Sequence, residues 1–195
     1  MRIALNQMMS ADRSVAETTS VLDHACAGAR QGGADLIIFP EMALTGYNIG
    51  AERIRQLAEP RDGPMVQSLI DMAKRHVIGI LCGFPELDRE RVFNAAVLID
   101  ASGKVLSVCR KAHLFGDVDR AAFSTADTLC PLVKFGDWSV GLAICYDVEF
   151  PELVRAFALG GADAILVPTA NMHPYTGVAT RVVPTRAEEN EIFVA

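Results

Sequence analysis

The sequence predicts an α/β protein with mixed sheets, and three features support this. Short continuous apolar runs such as Leu36-Ile37-Ile38-Phe39 and Ala164 to Val167 suit strands covered on both faces. Between them lie stretches whose apolar residues recur at helical spacing. Two further runs flank Ala101-Ser102-Gly103, where a glycine able to take positive φ permits a hairpin. A hairpin beside helix-linked strands makes the sheet mixed.

Ile3-Ala4-Leu5 opens the first strand, which ends near Met8. From Ser14 to Arg30, Val15, Leu22, Ala25, Cys26 and Ala29 trace one helix face, and Gly32-Gly33 ends it. The strand from Leu36 to Phe39 must exit at Pro40. A second helix runs from Pro64 to His76, with Val66, Leu69, Ile70 and Ala73 on one face and Pro64 suited to the first turn. Val77 to Phe84 reads as a buried strand followed by a charged loop, then the hairpin of Phe93 to Asp100 and Lys104 to Arg110. Ala112 to Thr128 has few periodic apolar positions and reads as a functional loop. Trp138 to Ile144 is a strand that delivers Cys145 at its carboxyl end. Pro151 starts a helix with Leu153, Val154, Phe157 and Ala158 inward, stopped by Gly160-Gly161. Ala164 to Val167 is the next strand, and Ile192 to Ala195 reads as part of another.

With 51% apolar and 22% charged residues, the 195-residue chain can bury one well-filled core. Its net charge of -6, without a run of five or six basic residues, argues against nucleic acid or anionic lipid as partners. Asn6-Gln7 interrupts the N-terminal apolar residues, and the other uncharged stretches are too short or too broken to span a membrane. The five cysteines are odd in number and widely spaced, with no Cys-x-x-Cys and no zinc-like grouping with histidines. No metal is expected, and a reducing cytoplasmic setting fits. Cys26, Cys82, Cys109 and Cys130 need no role beyond small apolar packing. No dinucleotide or phosphate-loop glycine motif is present, so cofactor-free chemistry is expected.

Strands that end at Pro40-Glu41, Arg110-Lys111, Cys145-Tyr146 and Pro168-Thr169 put polar and reactive groups at strand exits, where α/β sites gather. Cys145, between a strand and a proline-led helix, is placed to expose its sulfur beside free backbone amides. A thiol with a pKa of about 8.5 is mostly protonated at neutral pH and needs a base or a positive neighbour. Each of the four histidines, His24, His76, His113 and His173, is an open partner, with none singled out. Glu41 can take the thiol proton and return it to a leaving amine, and Lys111 can stabilise a carbonyl oxygen as it becomes negative. As alternatives, Cys145 is a buried structural residue, Glu41 a loop salt bridge and Lys111 a solvated side chain. Asn171, His173 and Tyr175 follow the strand at Ala164 to Val167 and are candidate pocket residues.

Three ordered blocks carry a resemblance: Phe39-Pro40-Glu41-Met42-Ala43-Leu44-Thr45-Gly46-Tyr47, Arg110-Lys111-Ala112-His113-Leu114, and Cys145-Tyr146-Asp147-Val148-Glu149-Phe150-Pro151-Glu152. Together they resemble the nitrilase superfamily of carbon-nitrogen hydrolases. The resemblance implies a four-layer α-β-β-α sandwich. It assigns Glu41 as general base, Lys111 as the carbonyl-polarising lysine, Cys145 as nucleophile and the Tyr146 amide to the oxyanion hole. Where the family often has a second glutamate, four residues before a phenylalanine, this chain has Asp119 before Phe123, with Asp117 as the other alignment. Asp119 then orients Lys111 or substrate, or is a surface salt bridge. Arg186 and Glu189 match a late family motif and form either a buried support pair or a solvated helix face. The context of Cys145-Tyr146-Asp147 implies hydrolysis of a small carboxamide through a thioester. N-carbamoyl or nitrile hydrolysis, and a catalytically silent ligand-binding or assembly protein, are the alternatives. Family domains continue through several more strands, so residues 1–195 are expected to form a carbon-nitrogen hydrolase domain lacking its C-terminal portion. A homodimer or higher homo-oligomer is also implied.

Overall fold

A computed structural model describes residues 1–9 and 14–195. Two sheets form from β1 (Ile3–Leu5), β2 (Leu36–Ile38), β3 (Gly79–Asp88), β4 (Arg91–Ile99), β5 (Val105–Arg110), β6 (Val133–Phe135), β7 (Trp138–Leu142), β8 (Ala164–Leu166) and β9 (Phe193–Val194). The first sheet has the order β1-β2-β3-β4-β5 and the second β6-β7-β8-β9. Parallel pairs link β1 to β2, β2 to β3, β7 to β8 and β8 to β9; the remaining pairs are antiparallel. The sheets are mixed, as the hairpin at Gly103 predicts.

The helices are α1 (Val15–Gln31), α2 (Ala51–Leu57), α3 (Pro64–His76), α4 (Gly116–Ala122), α5 (Pro151–Leu159) and α6 (Val183–Asn190). A capping box starts α1: the Ser14 hydroxyl accepts the Glu17 amide at 3.2 Å, and the Glu17 carboxylate accepts the Ser14 amide at 2.9 Å. Leu22 and Cys26 of α1 and Val66, Leu69 and Ala73 of α3 pack on Ile37, Ile80, Cys82 and Val97 of the first sheet. Its opposite face, with Leu36, Ile38, Leu81 and Leu98, meets Val140, Leu142, Ala164 and Leu166 of the second sheet. Leu153, Val154 and Phe157 of α5 cover Ile165 on the second sheet's outer side, with Val183 of α6 packed against them. The layers are therefore α-β-β-α.

Several sequence expectations need correction. The supposed charged loop after Phe84 is the tight end of a long hairpin, with β3 and β4 paired from Ile80–Ile99 to Asp88–Arg91. Charge does not break the strand because buried Glu86 is paired: Arg61 Nε donates to it at 2.9 Å and Arg110 Nε at 2.7 Å. The loop expected at 112–128 contains α4, too short for its apolar spacing to be recognised. Cys109 and Cys130 are joined by a disulfide, in place of the two packing thiols expected. Their Cα atoms lie 5.6 Å apart because β5 runs beside the segment that leads into β6. Among the described residues, no helix is long and apolar enough to cross a membrane.

Candidate active site

Glu41, Lys111 and Cys145 come together where β2, β5 and β7 end. The turn that carries Glu41 crosses tightly over β3 at Gly83, where an added Cβ would lie 2.7 Å from the Glu41 Cα and 2.8 Å from the Pro40 carbonyl oxygen. Only glycine admits so close a backbone approach. Lys111 extends the line of β5, its amide donating to the Asn94 carbonyl at 2.8 Å.

The Lys111 ammonium donates to Glu41 Oε1 and to Asp119 Oδ2, each at 2.7 Å, and all three side chains are fully buried. Asn94, inside β4, donates its Nδ2 to Glu41 Oε1 at 2.7 Å, and the Ala170 amide donates to Oε2 at 3.1 Å. Asp119 also accepts the Tyr47 hydroxyl and the Phe115 amide, both at 2.8 Å. Burial works against the charged form of Lys111, but Glu41, Cys145 and Asp119 outweigh it and hold the ammonium above the ordinary lysine range. Two carboxylates around one ammonium leave this cluster net negative.

Cys145 begins a 3-10 turn, Cys145–Glu149, with a φ of 48°. A non-glycine residue in this left-handed region costs roughly 1–3 kcal/mol and persists where its surroundings enforce it. Its amide donates to the Pro168 carbonyl at 2.9 Å. The thiol lies within hydrogen-bonding reach of the Thr169 and Glu41 side chains. Burial and the Glu41 charge push its pKa up to about 12, against the partial counter-effect of Lys111. The resting group is a thiol with a carboxylate beside it. Tyr146 follows in the first turn, whose amides have the fewest intrahelical acceptors.

The Asp147 carboxylate holds this turn in place, accepting the Ile144 amide at 3.0 Å on Oδ2 and the His113 amide at 2.8 Å on Oδ1. His113 Nδ1 lies 2.9 Å from the same Oδ1, and its ring stacks on Phe150 with centroids 3.7 Å apart. Arg186 braces the turn from α6, donating to the Val148 carbonyl at 3.2 Å, the Glu149 carbonyl at 2.9 Å and Glu189 Oε1 at 2.9 Å. The Arg186 and Glu189 pair is thus a support for the turn in which Arg186 is partly buried and Glu189 is exposed.

Of the other candidates, Asn171 and Tyr175 line a small cavity over Cys145 together with Tyr47, Phe115 and Glu149. His173 is exposed and lines neither this cavity nor its larger neighbour. The neighbouring cavity, about 720 Å³, runs past Glu41 between the end of β1 and residues 167–172, and Cys145 does not line it. Asp117 is solvent-exposed, so of the two alignments only Asp119 enters the buried cluster. Sequence reasoning gave no role to Asn94, Tyr47, Asp147 or Thr169. Asn94 had a signal: it is an amide inside the apolar stretch Val92 to Ile99, where a buried polar group needs a partner. Among the described residues, no group of three or more His, Cys, Asp or Glu side chains is arranged to hold a metal ion.

A thiol, a buried carboxylate and a buried ammonium at one rim of an α-β-β-α sandwich are the parts of a cysteine hydrolase. Residues 2–195 match the family model described as carbon-nitrogen hydrolase, and the chain belongs to that family, the nitrilase superfamily. Its matches include amidase-type members. It is 45% identical over 196 residues to a hydrolase in the pqqF 5' region of Pseudomonas protegens, covering 100% of this chain and 68% of the relative. It is 36% identical over 193 residues to an (R)-stereoselective amidase of Pseudomonas sp, covering 99% and 69%. In three dimensions it resembles an amidase from Nesterenkonia sp., with a TM-score of 0.86 and 32% identity, covering 100% of this chain and 75% of that one. A glutamate-to-glutamine variant of the Nesterenkonia sp. AN1 amidase shows covalent addition of the acetamide moiety of fluoroacetamide at the active site cysteine. A cysteine-to-alanine variant of it is in complex with butyramide. The present chain is accordingly a hydrolase of small carbon-nitrogen compounds that depends on Cys145.

Proposed function

We propose that residues 1–195 act as one carbon-nitrogen hydrolase domain that converts small carboxamides to carboxylic acid and ammonia or amine. The supporting observation is the Glu41 carboxylate, held 2.7 Å from the Lys111 ammonium and within hydrogen-bonding reach of the Cys145 thiol. Glu41 removes the thiol proton as sulfur attacks the carbonyl carbon. Lys111 and the Tyr146 amide stabilise the negative oxygen. As the tetrahedral species collapses, Glu41 passes its proton to the nitrogen, the C–N bond breaks, and a thioester remains on Cys145. Water then gives a proton to Glu41 and attacks the thioester; collapse expels the sulfur, which recovers the proton, and the acid leaves.

Asp119 positions Lys111 together with Glu41, and Asn171 and Tyr175 border the acyl group. Support for an amide over a nitrile or an N-carbamoyl compound comes from the amide-derived ligands in the Nesterenkonia amidase. The chain self-associates through its outer helices, in keeping with the exposed Leu159 of α5. A cytoplasmic setting accords with the free Cys26, Cys82 and Cys145, with the Cys109–Cys130 bond as the feature against it, and the net charge of -6 leaves nucleic acid aside.

Intact-mass spectrometry after brief exposure to a small amide, with the site mapped by peptide digestion, tests the mechanism. An acyl adduct on Cys145 is expected, and modification of another cysteine alone would overturn the assignment. Product analysis across amides, N-carbamoyl compounds and nitriles checks the substrate class, and turnover of nitriles alone would replace it. A light-scattering mass of a single chain would remove the self-association step.

A further inference from the structure

We propose that Glu149 is a specificity-determining residue that selects carboxamides bearing a protonated amine on the acyl chain, remote from the reacting carbonyl. The inference rests on the amidase reading above and narrows its substrate class. Glu149 closes the same 3-10 turn that Cys145 opens, so a single rigid piece of backbone carries the nucleophile and this carboxylate. Both residues line the small cavity over the thiol. Glu149 is the one acidic or basic side chain among the described residues that line it.

Arg186 is the cation that acts on this carboxylate, and its hydrogen bonds go to other acceptors. Arg186 gives its hydrogen bonds to the Glu149 backbone carbonyl at 2.9 Å, to the Val148 carbonyl at 3.2 Å and to Glu189 at 2.9 Å. Partial burial raises the Glu149 pKa, and Arg186 only partly counters this. An incoming ammonium would supply a further positive partner.

Two other features favour the same ligand. The cluster of Glu41, Lys111 and Asp119 is already net negative, so the field in the cavity attracts a cation and repels a substrate carboxylate. The cavity's other walls include Tyr47, Phe115 and Tyr175, aromatic side chains of a kind that tolerates a neighbouring ammonium. The cavity has about 20 Å³ of free space, room for about one water, so an amide that sets its ammonium at Glu149 and its carbonyl at the thiol must widen it.

The test compares β-alaninamide with butyramide, which have the same shape and differ in one ammonium. The wild-type chain is expected to show kcat/KM at least about tenfold higher for β-alaninamide, and Glu149→Gln should bring the ratio close to one. A charge-assisted hydrogen bond is worth roughly ten- to hundredfold. Because both substrates are read on one preparation, loss of folded protein cancels from the ratio. Glu149→Lys should reverse the preference towards the monoamide of succinic acid. Turnover of butyramide with no preference for β-alaninamide, or a ratio unmoved by Glu149→Gln, would overturn the assignment while the amidase reading stands. Turnover of neither amide would overturn both.

Discussion

Asp147 accepts the backbone amide of His113 at 2.8 Å, joining the nucleophile's turn to the segment just after Lys111. Its second oxygen accepts the Ile144 amide at 3.0 Å, immediately before Cys145. One buried carboxylate thereby sets the distance between the thiol-bearing and ammonium-bearing segments. Asp147→Ala leaves three buried or half-buried amides without an acceptor, at about 1–3 kcal/mol each before relaxation. We expect a clear loss of thermal stability together with a fall in kcat of about tenfold or more. Asp147→Asn, which keeps one acceptor oxygen, should recover part of both. Unchanged kcat in a folded Asp147→Ala protein would refute the positioning role.

Lys111→Ala separates chemistry from stability less cleanly. Removing the ammonium leaves Glu41 and Asp119 facing each other, fully buried, without their shared cation. Breaking a buried pair by deleting one partner costs about 3–5 kcal/mol. Loss of an oxyanion donor lowers kcat by roughly 10² to 10³. Denaturant unfolding should report the first effect. Turnover normalised to folded protein should report the second, and normalised turnover within threefold of wild type would exclude Lys111 from the chemistry.

The Cys145 thiol gives a pH signature. With its pKa pushed up to about 12 by burial and by Glu41, the thiolate fraction at pH 8 is on the order of 10⁻⁴. Iodoacetamide alkylation of Cys145 should therefore keep rising with pH through 10 without a plateau. Glu41→Gln removes a negative neighbour and leaves Lys111 in place, so the thiol pKa falls and the alkylation profile moves to lower pH. Amide turnover should drop by 10² to 10⁴ in the same variant through loss of the proton carrier. A profile that moved to higher pH would contradict this electrostatic account.

The parts of this structure that could be read from sequence are those with strong local rules. Helix α3 matches the expected Pro64 to His76 because proline at the first position, one apolar face and a basic last turn all agree. Helix α1 begins one residue after the expected Ser14 because that residue is its cap. By contrast, α2 and α4 are only two turns long, and β6 has three residues, too few for periodicity to stand out. Within the site, the strand exits make Glu41, Lys111 and Cys145 candidates, and the three ordered blocks that resemble the family give them their roles. Asn94, Thr169 and Asp147 escape, since their roles lie in contacts between distant segments, which one chain read linearly does not encode. The Cys109–Cys130 bond is hidden for the same reason.

Asp119 sits fully buried against Lys111, and its environment predicts what its side chain does. It accepts Lys111 and Phe115 on Oδ2 and Tyr47 on Oδ1, so both oxygens are occupied within the protein. It lines neither cavity, so its role is to hold Lys111 and the loop at Phe115. Asp119→Asn keeps the shape but removes one negative charge next to Lys111. The ammonium then leans on Glu41 alone, which ties up the carboxylate that has to carry the proton. We expect kcat to fall about ten- to hundredfold with KM changed less than threefold, because the acyl pocket is untouched. Asp119→Glu pushes an extra methylene into a fully buried site and should cost about 1–3 kcal/mol of stability. Steady-state kinetics on folded Asp119→Asn settles the role: a large rise in KM with kcat preserved would instead make Asp119 a substrate-binding group.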